Sequence, residues 1–288
     1  MKILACIKQV PDTAAQIWVN PRTGEIDLSD VEFIINPYDE LAVEEAVRIK
    51  EQLGGEVIAL TMGPERAEEA LRKALAMGAD EAVHLLDPAF NDSDTYATGR
   101  TLASAIRKLA PDLVLCGKKA VDGDTGQVPA AIAEGLDAPL VCYVAKLEVT
   151  RDEITAHRQV DGGIEVVSVK LPVVVTVDRG INEPRYPALR STMAAKKKPI
   201  SRWDREALGL TPDDVGLPGS KTRVVAVTPP KPRATGRFTG TATMSAADRL
   251  KLLMSAGASE KSERLVIRDP AARAARRVLQ ILVDENLV

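Results

Sequence analysis

Short apolar runs alternate with amphipathic stretches through the first half of the chain. Residues 2–8, 56–62, 81–86 and 113–116 are brief and mostly apolar, as strands buried on both faces are. Between them lie segments with helical periodicity. Over 40–53, Ala42, Val43, Ala46, Val47, Ile49 and Leu53 share one face, and Gly54-Gly55 stops the run. Pro64 opens a second helix, to Met77, and Gly78 ends it. Asp92-Ser93-Asp94-Thr95 caps a third, running to Leu109, and a fourth covers 130–136. Such alternation predicts βαβ units wound into an α/β fold with a mostly parallel sheet.

Elsewhere the period changes. Residues 17–19 and 25–28 flank Asn20-Pro21-Arg22-Thr23-Gly24 as a hairpin. A strand over 140–145 closes the alternating part. From Lys146, residues 147–150, 153–160 and 165–170 alternate as antiparallel strands, turning at Asp161-Gly162-Gly163. Residues 171–177 form an apolar strand back in the core, followed by a polar, proline-marked segment to Ile200 and a short helix-like piece to Leu210. The chain thus divides into an α/β domain over 1–210 with a hairpin extension at about 146–170, an extended linker over 211–243 and a helical arm over 244–288. Helices are expected at 245–255 and 271–287, the second carrying Val278, Leu279, Ile281, Leu282 and Leu287. Two helices on a linker bury little by themselves, so the arm packs on another subunit or folds back on its own domain.

The chemistry-bearing stretch is Gly117-Lys118-Lys119-Ala120-Val121-Asp122-Gly123-Asp124-Thr125-Gly126-Gln127-Val128-Pro129, set between a strand and a helix. Open α/β sheets bind ligands at that edge. Small residues at 123, 125 and 126 let backbone approach a ligand, and the next helix offers free N–H groups to phosphate. A tight turn with an N-cap uses the same residue types.

Composition narrows the field. Of 288 residues, 45% are apolar and 27% charged, and the net charge of -3 without a basic stripe argues against nucleic acid. No apolar stretch is long enough to cross a bilayer, and Lys8, Gln9 and Pro11 cut short the signal-like start. Cys6, Cys116 and Cys142 lack a CxxC spacing and read as buried thiols of a cytoplasmic protein. His84 and His157 stand too far apart to suggest a metal site. Residues 216–222 have the wrong spacing for a phosphate loop, and no nucleophile or acid–base pair is evident. Chemistry must come from a bound cofactor.

Residues 177–200, with Asn182-Glu183-Pro184-Arg185-Tyr186 and then Met193-Ala194-Ala195-Lys196-Lys197-Lys198, resemble the signature of the electron transfer flavoprotein β subunit. The similarity runs from Lys2 to about Pro230. It implies a Rossmann-like, adenine-nucleotide-binding domain in a heterodimer with a flavin-bearing α subunit. Carried over by position, nucleotide contacts fall on Cys6, Asn36, Pro37, Tyr38, Asp39, Met62 and the run Asp122, Gly123, Asp124, Thr125, Gly126, Gln127, Val128, Pro129 and Ala130. Plain core packing accounts equally well for Cys6 and Met62. The resemblance makes Leu189 the anchor of a loop that docks on dehydrogenases; Glu183 and Arg185 either brace that loop by ion pairing or contact a flavin. The loop at 121–128 and the segment 78–98 are similar to electron-bifurcating members, which carry FAD here, and place Thr95 and Thr98 beside its diphosphate and ribityl chain. That form takes hydride from NADH and divides the electrons between ferredoxin or flavodoxin and, through the α subunit, an acyl-CoA dehydrogenase or quinone oxidoreductase. Simple members hold AMP instead, and a stand-alone adenine-nucleotide-binding protein is a third possibility.

Overall fold

Strands β1 (Lys2–Cys6), β6 (Glu56–Met62) and β8 (Leu113–Gly117) form the centre of a parallel sheet, with β1 in the middle. The computed structural model describes residues 1–15, 17–20, 22–228 and 271–284. Contacts divide the chain into Met1–Pro229 and Pro230–Val288.

Within the first unit the sheet extends on one side through β7 (Glu81–Leu85) to β13 (Ser201–Trp203), and on the other through β12 (Val173–Val177) to β9 (Leu140–Val149). Antiparallel β10 (Glu153–Val160) and β11 (Gly163–Lys170) continue it beyond β9. Two small pairs stand apart: β2 (Gln9–Pro11) with β5 (Phe33–Ile35), and the expected hairpin of β3 (Trp18–Val19) with β4 (Ile26–Asp27).

Alternation along each strand sends side chains into two cores. Ile3, Ala5, Leu113 and Leu115 pack with α1 (Pro37–Leu53) and α2 (Glu68–Met77). Leu4, Cys6, Val114 and Cys116 face α3 (Thr95–Leu109) and α4 (Val128–Leu136). Burial on both sides is why these strands read as unbroken apolar runs. Helix α1 begins three residues before the expected start because Pro37 occupies its first turn, where a missing N–H costs nothing.

Three departures from the sequence pattern have local causes. A single strand, β9, replaces the two expected over 140–150. It passes from parallel pairing with β12 to antiparallel pairing with β10, the register shifts there, and Tyr143 takes a left-handed φ of 60°. Part of the polar segment after Asp178 is helical, α5 (Leu189–Lys197), and Ser201–Trp203 adds an edge strand where a helix-like piece was expected. Only Ala195 of α5 is buried, so no apolar stripe marks it. Residues 211–222 are folded rather than extended: Pro212–Asp214 makes a single turn, α6 (Gly216–Gly219) follows, and Lys221 and Thr222 bond to Asp94. In the second unit, α7 spans Ala271–Asp284. The helix expected at 245–255 lies outside the described residues.

Candidate functional site

Strand order reverses between β1 and β8, since the chain leaves β1 toward β6 on one side and reaches β8 on the other. Carboxyl ends of parallel strands diverge at such a point and leave a crevice. Here it is a cavity of about 500 Å³. Its floor is made by Cys6, Ile7 and Lys8 after β1, Met62, Gly63 and Pro64 after β6, and Cys116 and Gly117 of β8. The loop 119–126 with the start of α4 forms one wall; residues 90–95, Thr98 and Leu102 form the other.

Of the nominated residues, Cys6, Asp39, Met62, Thr95, Thr98, Gly123, Asp124, Thr125, Gly126, Val128 and Pro129 line this cavity. Others build it without lining it. Fully buried Asn36 donates from Nδ2 to the Lys119 carbonyl at 3.0 Å and accepts from the Val121 amide at 3.2 Å, fixing the loop's entry. Pro37 starts α1, and Tyr38 is buried with the Lys118 ammonium 5.0 Å and the Arg179 guanidinium 5.6 Å from its ring centre. Asp122 pairs with Lys8, and Gln127 accepts from the Thr95 hydroxyl at 3.0 Å, joining the two walls. Ala130 is exposed on α4.

Asp39 joins the strand ends across the switch point: its carboxylate accepts from the Lys8 amide at 2.8 Å and the Gly117 amide at 3.1 Å. Burial pushes its pKa up to about 7, against the pull of Asn36 and those amides. Gly117 is required there, because a Cβ would meet the Asp39 carboxylate and the Tyr38 backbone. Asp94 caps α3 through the Ala97 amide at 2.9 Å and also holds the Lys221 and Thr222 amides, both at 2.7 Å. Burial opposes its ionisation, but the Ala97 and Thr222 amides, the Thr222 hydroxyl and the Lys221 amide outweigh it and bring the pKa down to about 2. Cys6 and Cys116 are register partners across β1 and β8; the hydrogen bond with Cys6, together with burial, pushes the Cys116 thiol well up.

Sequence reasoning did not name Lys8, Lys119, Gly63 or the turn 90–94 as site residues, although Lys119 stood in the chemistry-bearing stretch and 92–94 in a recognised cap. The signal was present for Lys8 and Gly63, which end or immediately follow strands already recognised, and for Lys119 three residues beyond one. His84 is buried on β7 with Nε2 3.0 Å from the Gly63 carbonyl oxygen, a core histidine beneath the rim.

Glu183, Arg185 and Leu189 lie away from the cavity lining. Arg185 forks onto Glu44, 2.8 Å from Nε, and Glu51, 2.6 Å from Nη1, while Arg48 donates to the Glu183 carbonyl. Burial raises the Glu44 pKa, but Arg185 and Arg48 overcome it and hold the carboxyl below its usual range. Arg185 thus braces the segment by ion pairing. Leu189, at the start of α5, is 77% exposed.

The described geometry is a switch-point cavity with a glycine-bearing loop and two helix starts. The family model "Electron transfer flavoprotein domain" matches residues 23–208. Over 242 residues the chain is 46% identical to the electron transfer flavoprotein subunit beta of Thermoanaerobacterium thermosaccharolyticum, covering 83% of this chain and 93% of that one. The chain belongs to the electron transfer flavoprotein family, as a β subunit. It is also 45% identical over 244 residues to the caffeyl-CoA reductase-Etf complex subunit CarD of Acetobacterium woodii, covering 84% and 93% of the two chains. With the Megasphaera elsdenii β subunit it shares 40% identity over 244 residues, 82% of this chain and 90% of that one. As an electron transfer flavoprotein β subunit, the chain pairs with an α subunit and serves electron transfer. Among the described residues, no helix is long and apolar enough to cross a membrane.

Proposed function

We propose that this β subunit binds FAD in the switch-point cavity and, with its α partner, divides electrons from NADH between ferredoxin or flavodoxin and an acyl-CoA dehydrogenase or quinone oxidoreductase. The observation that carries the reading is the reach of the cavity from the loop at 123–126 to Thr95 and Thr98 at the start of α3. Two helix N-termini and two lysines, Lys8 and Lys119, then border one space, and this suits a diphosphate better than a single phosphate. Ile7, Met62, Phe90 and Leu102 provide an apolar flank against which a ring system can lie. The residues therefore fit the group.

FAD bound there would supply the redox chemistry. The chain's part is to orient and enclose. Asp39 fixes the strand ends, Asn36 fixes the loop, and the Thr95–Gln127 bond ties wall to wall. Outside the cavity, the exposed Tyr186, Leu189 and Met193 beside the braced Arg185 form the surface offered to a dehydrogenase, with Glu183 and Arg185 holding it in shape. The relative named for a caffeyl-CoA reductase complex supports an acyl-CoA oxidoreductase as that partner. The helical arm reaches the α subunit, and the complex works in the cytoplasm.

A second reading places AMP in the same cavity as a structural element of a simple carrier. The volume favours it: about 500 Å³ is in the lower part of the range of ligand pockets, ~300–1,000 Å³. Nucleotide content decides between the two. The chain is purified with its α partner and denatured, and FAD and AMP are quantified per heterodimer. Two FAD without AMP is the expected result; one FAD with one AMP overturns the bifurcating reading and leaves the simple carrier.

A further inference from the structure

Each lysine bordering the cavity is already answered by a carboxylate of the same loop. Lys8 Nζ lies 2.7 Å from Asp122 Oδ2, and Lys119 Nζ lies 2.6 Å from Asp124 Oδ1. The lysines come from different elements, one following β1 and one in the loop, yet residues two apart in that loop neutralise both. The remaining charge on the walls is acidic, from Asp92 and Asp94, with Asp39 only part ionised near neutral pH. An incoming phosphate therefore meets two engaged cations and a surplus of carboxylates.

Both pairs are built to be broken. The Asp124 side chain is 63% exposed and that of Lys8 50% exposed, so water screens each pair and holds it weakly. Asp124 holds a left-handed φ of 55°, a region that Asp enters more readily than most residues, at a turn closed by its amide on the Ala120 carbonyl. Gly126, at φ 63°, supplies the neighbouring left-handed position without strain. The monoester phosphate of AMP has more charge and more acceptor oxygens than a carboxylate, and a diphosphate brings two charges that can answer both ammonium groups at once.

We propose that Asp122 and Asp124 are internal competitors of the ligand: they hold Lys8 and Lys119 and exchange them for the phosphate groups of the nucleotide as it enters. This rests on the nucleotide reading of the cavity and adds to it a regulator of affinity. The loop acids lower the affinity that the lysines and amides would otherwise confer, and a change of loop conformation becomes part of binding. Release is eased for the same reason, since the carboxylates stand ready to take the lysines back.

The test uses the αβ complex stripped of nucleotide and titrated calorimetrically with AMP, with FAD and, separately, with adenosine, which has no phosphate to exchange. Asp122→Asn and Asp124→Asn are each expected to tighten AMP about 2- to 5-fold, the equivalent of one exposed pair, and to leave adenosine unchanged. Lys8→Gln and Lys119→Gln are expected to weaken AMP, again without effect on adenosine. Thermal unfolding of every variant shows whether the complex remains folded, and the two loop variants are made singly so that one failing to fold leaves the other informative. If wild type binds AMP while both Asp→Asn variants bind it equally or more weakly, the competition is overturned and the nucleotide site stands. If wild type binds neither AMP nor FAD, the nucleotide reading itself falls, and the competition with it.

Discussion

Asp94 does two jobs with one carboxylate. It caps α3, and it pins Lys221 and Thr222, which sit more than a hundred residues away in sequence. Replacing it with alanine removes the cap and three further bonds, and is expected to cost about 1–2 kcal/mol, read as a lower urea midpoint. The pH dependence has a definite sign. Its pKa lies below the ordinary carboxylate value, so the stabilisation is complete above about pH 4 and is lost as pH falls toward 2. Acid unfolding of Asp94→Asn should therefore begin from lower stability and fall less steeply in that window. At this scale the sequence was partly legible. Asp94-Thr95 announced a cap, but nothing local could show that residues 221–222 return to it. Lys8 and Lys119 escaped notice because attention to small loop residues favours backbone contacts over charged ones.

Between elements, close approach is set by glycines. Gly99 of α3 sits against Ala131 of α4, and Gly135 of α4 against Ala103 of α3; a Cβ on either would collide. Gly99→Leu is expected to push α4 away, costing about 1–3 kcal/mol, and to disturb the loop that α4 terminates, seen as a lower melting temperature with weaker nucleotide retention. The segment carrying Arg185 is fastened differently, by the Glu44 and Glu51 pairs on α1. Arg185→Ala should speed proteolytic cleavage within 182–190 and cost about 1–2 kcal/mol, because Glu44 is left buried with Arg48 alone. Proteolysis unchanged from wild type would show that other contacts hold the segment. Elements with an apolar signature were readable here, as β6 over 56–62 and α3 to Leu109 show. Helix α5 and β13 were not, since an exposed helix and a three-residue edge strand bury too little to impose a pattern.

At the scale of the molecule, the sheet order decides where a ligand can go, and alternating βα units predicted that much. The division of the chain follows different physics. The first unit has both cores, whereas α7 in the second carries exposed Val278, Leu279 and Val283. Removing residues 271–288 is expected to leave the melting of the α/β domain within a few degrees of wild type while weakening association with the α subunit at least several-fold, measured by sedimentation of the mixed subunits. Equal association would place the arm's role elsewhere.

Lys221 and Thr222, near the carboxyl end of the first unit, are tied to the carboxylate that also caps α3 at the cavity wall. A tether fixed to a movable part transmits force to it. A displacement of residues 221–222 would be delivered to Asp94, then to the amino end of α3, where Thr95 and Thr98 stand. The far end of the first unit is thus also a lever on the chamber, and motion there need travel only through one side chain to be felt.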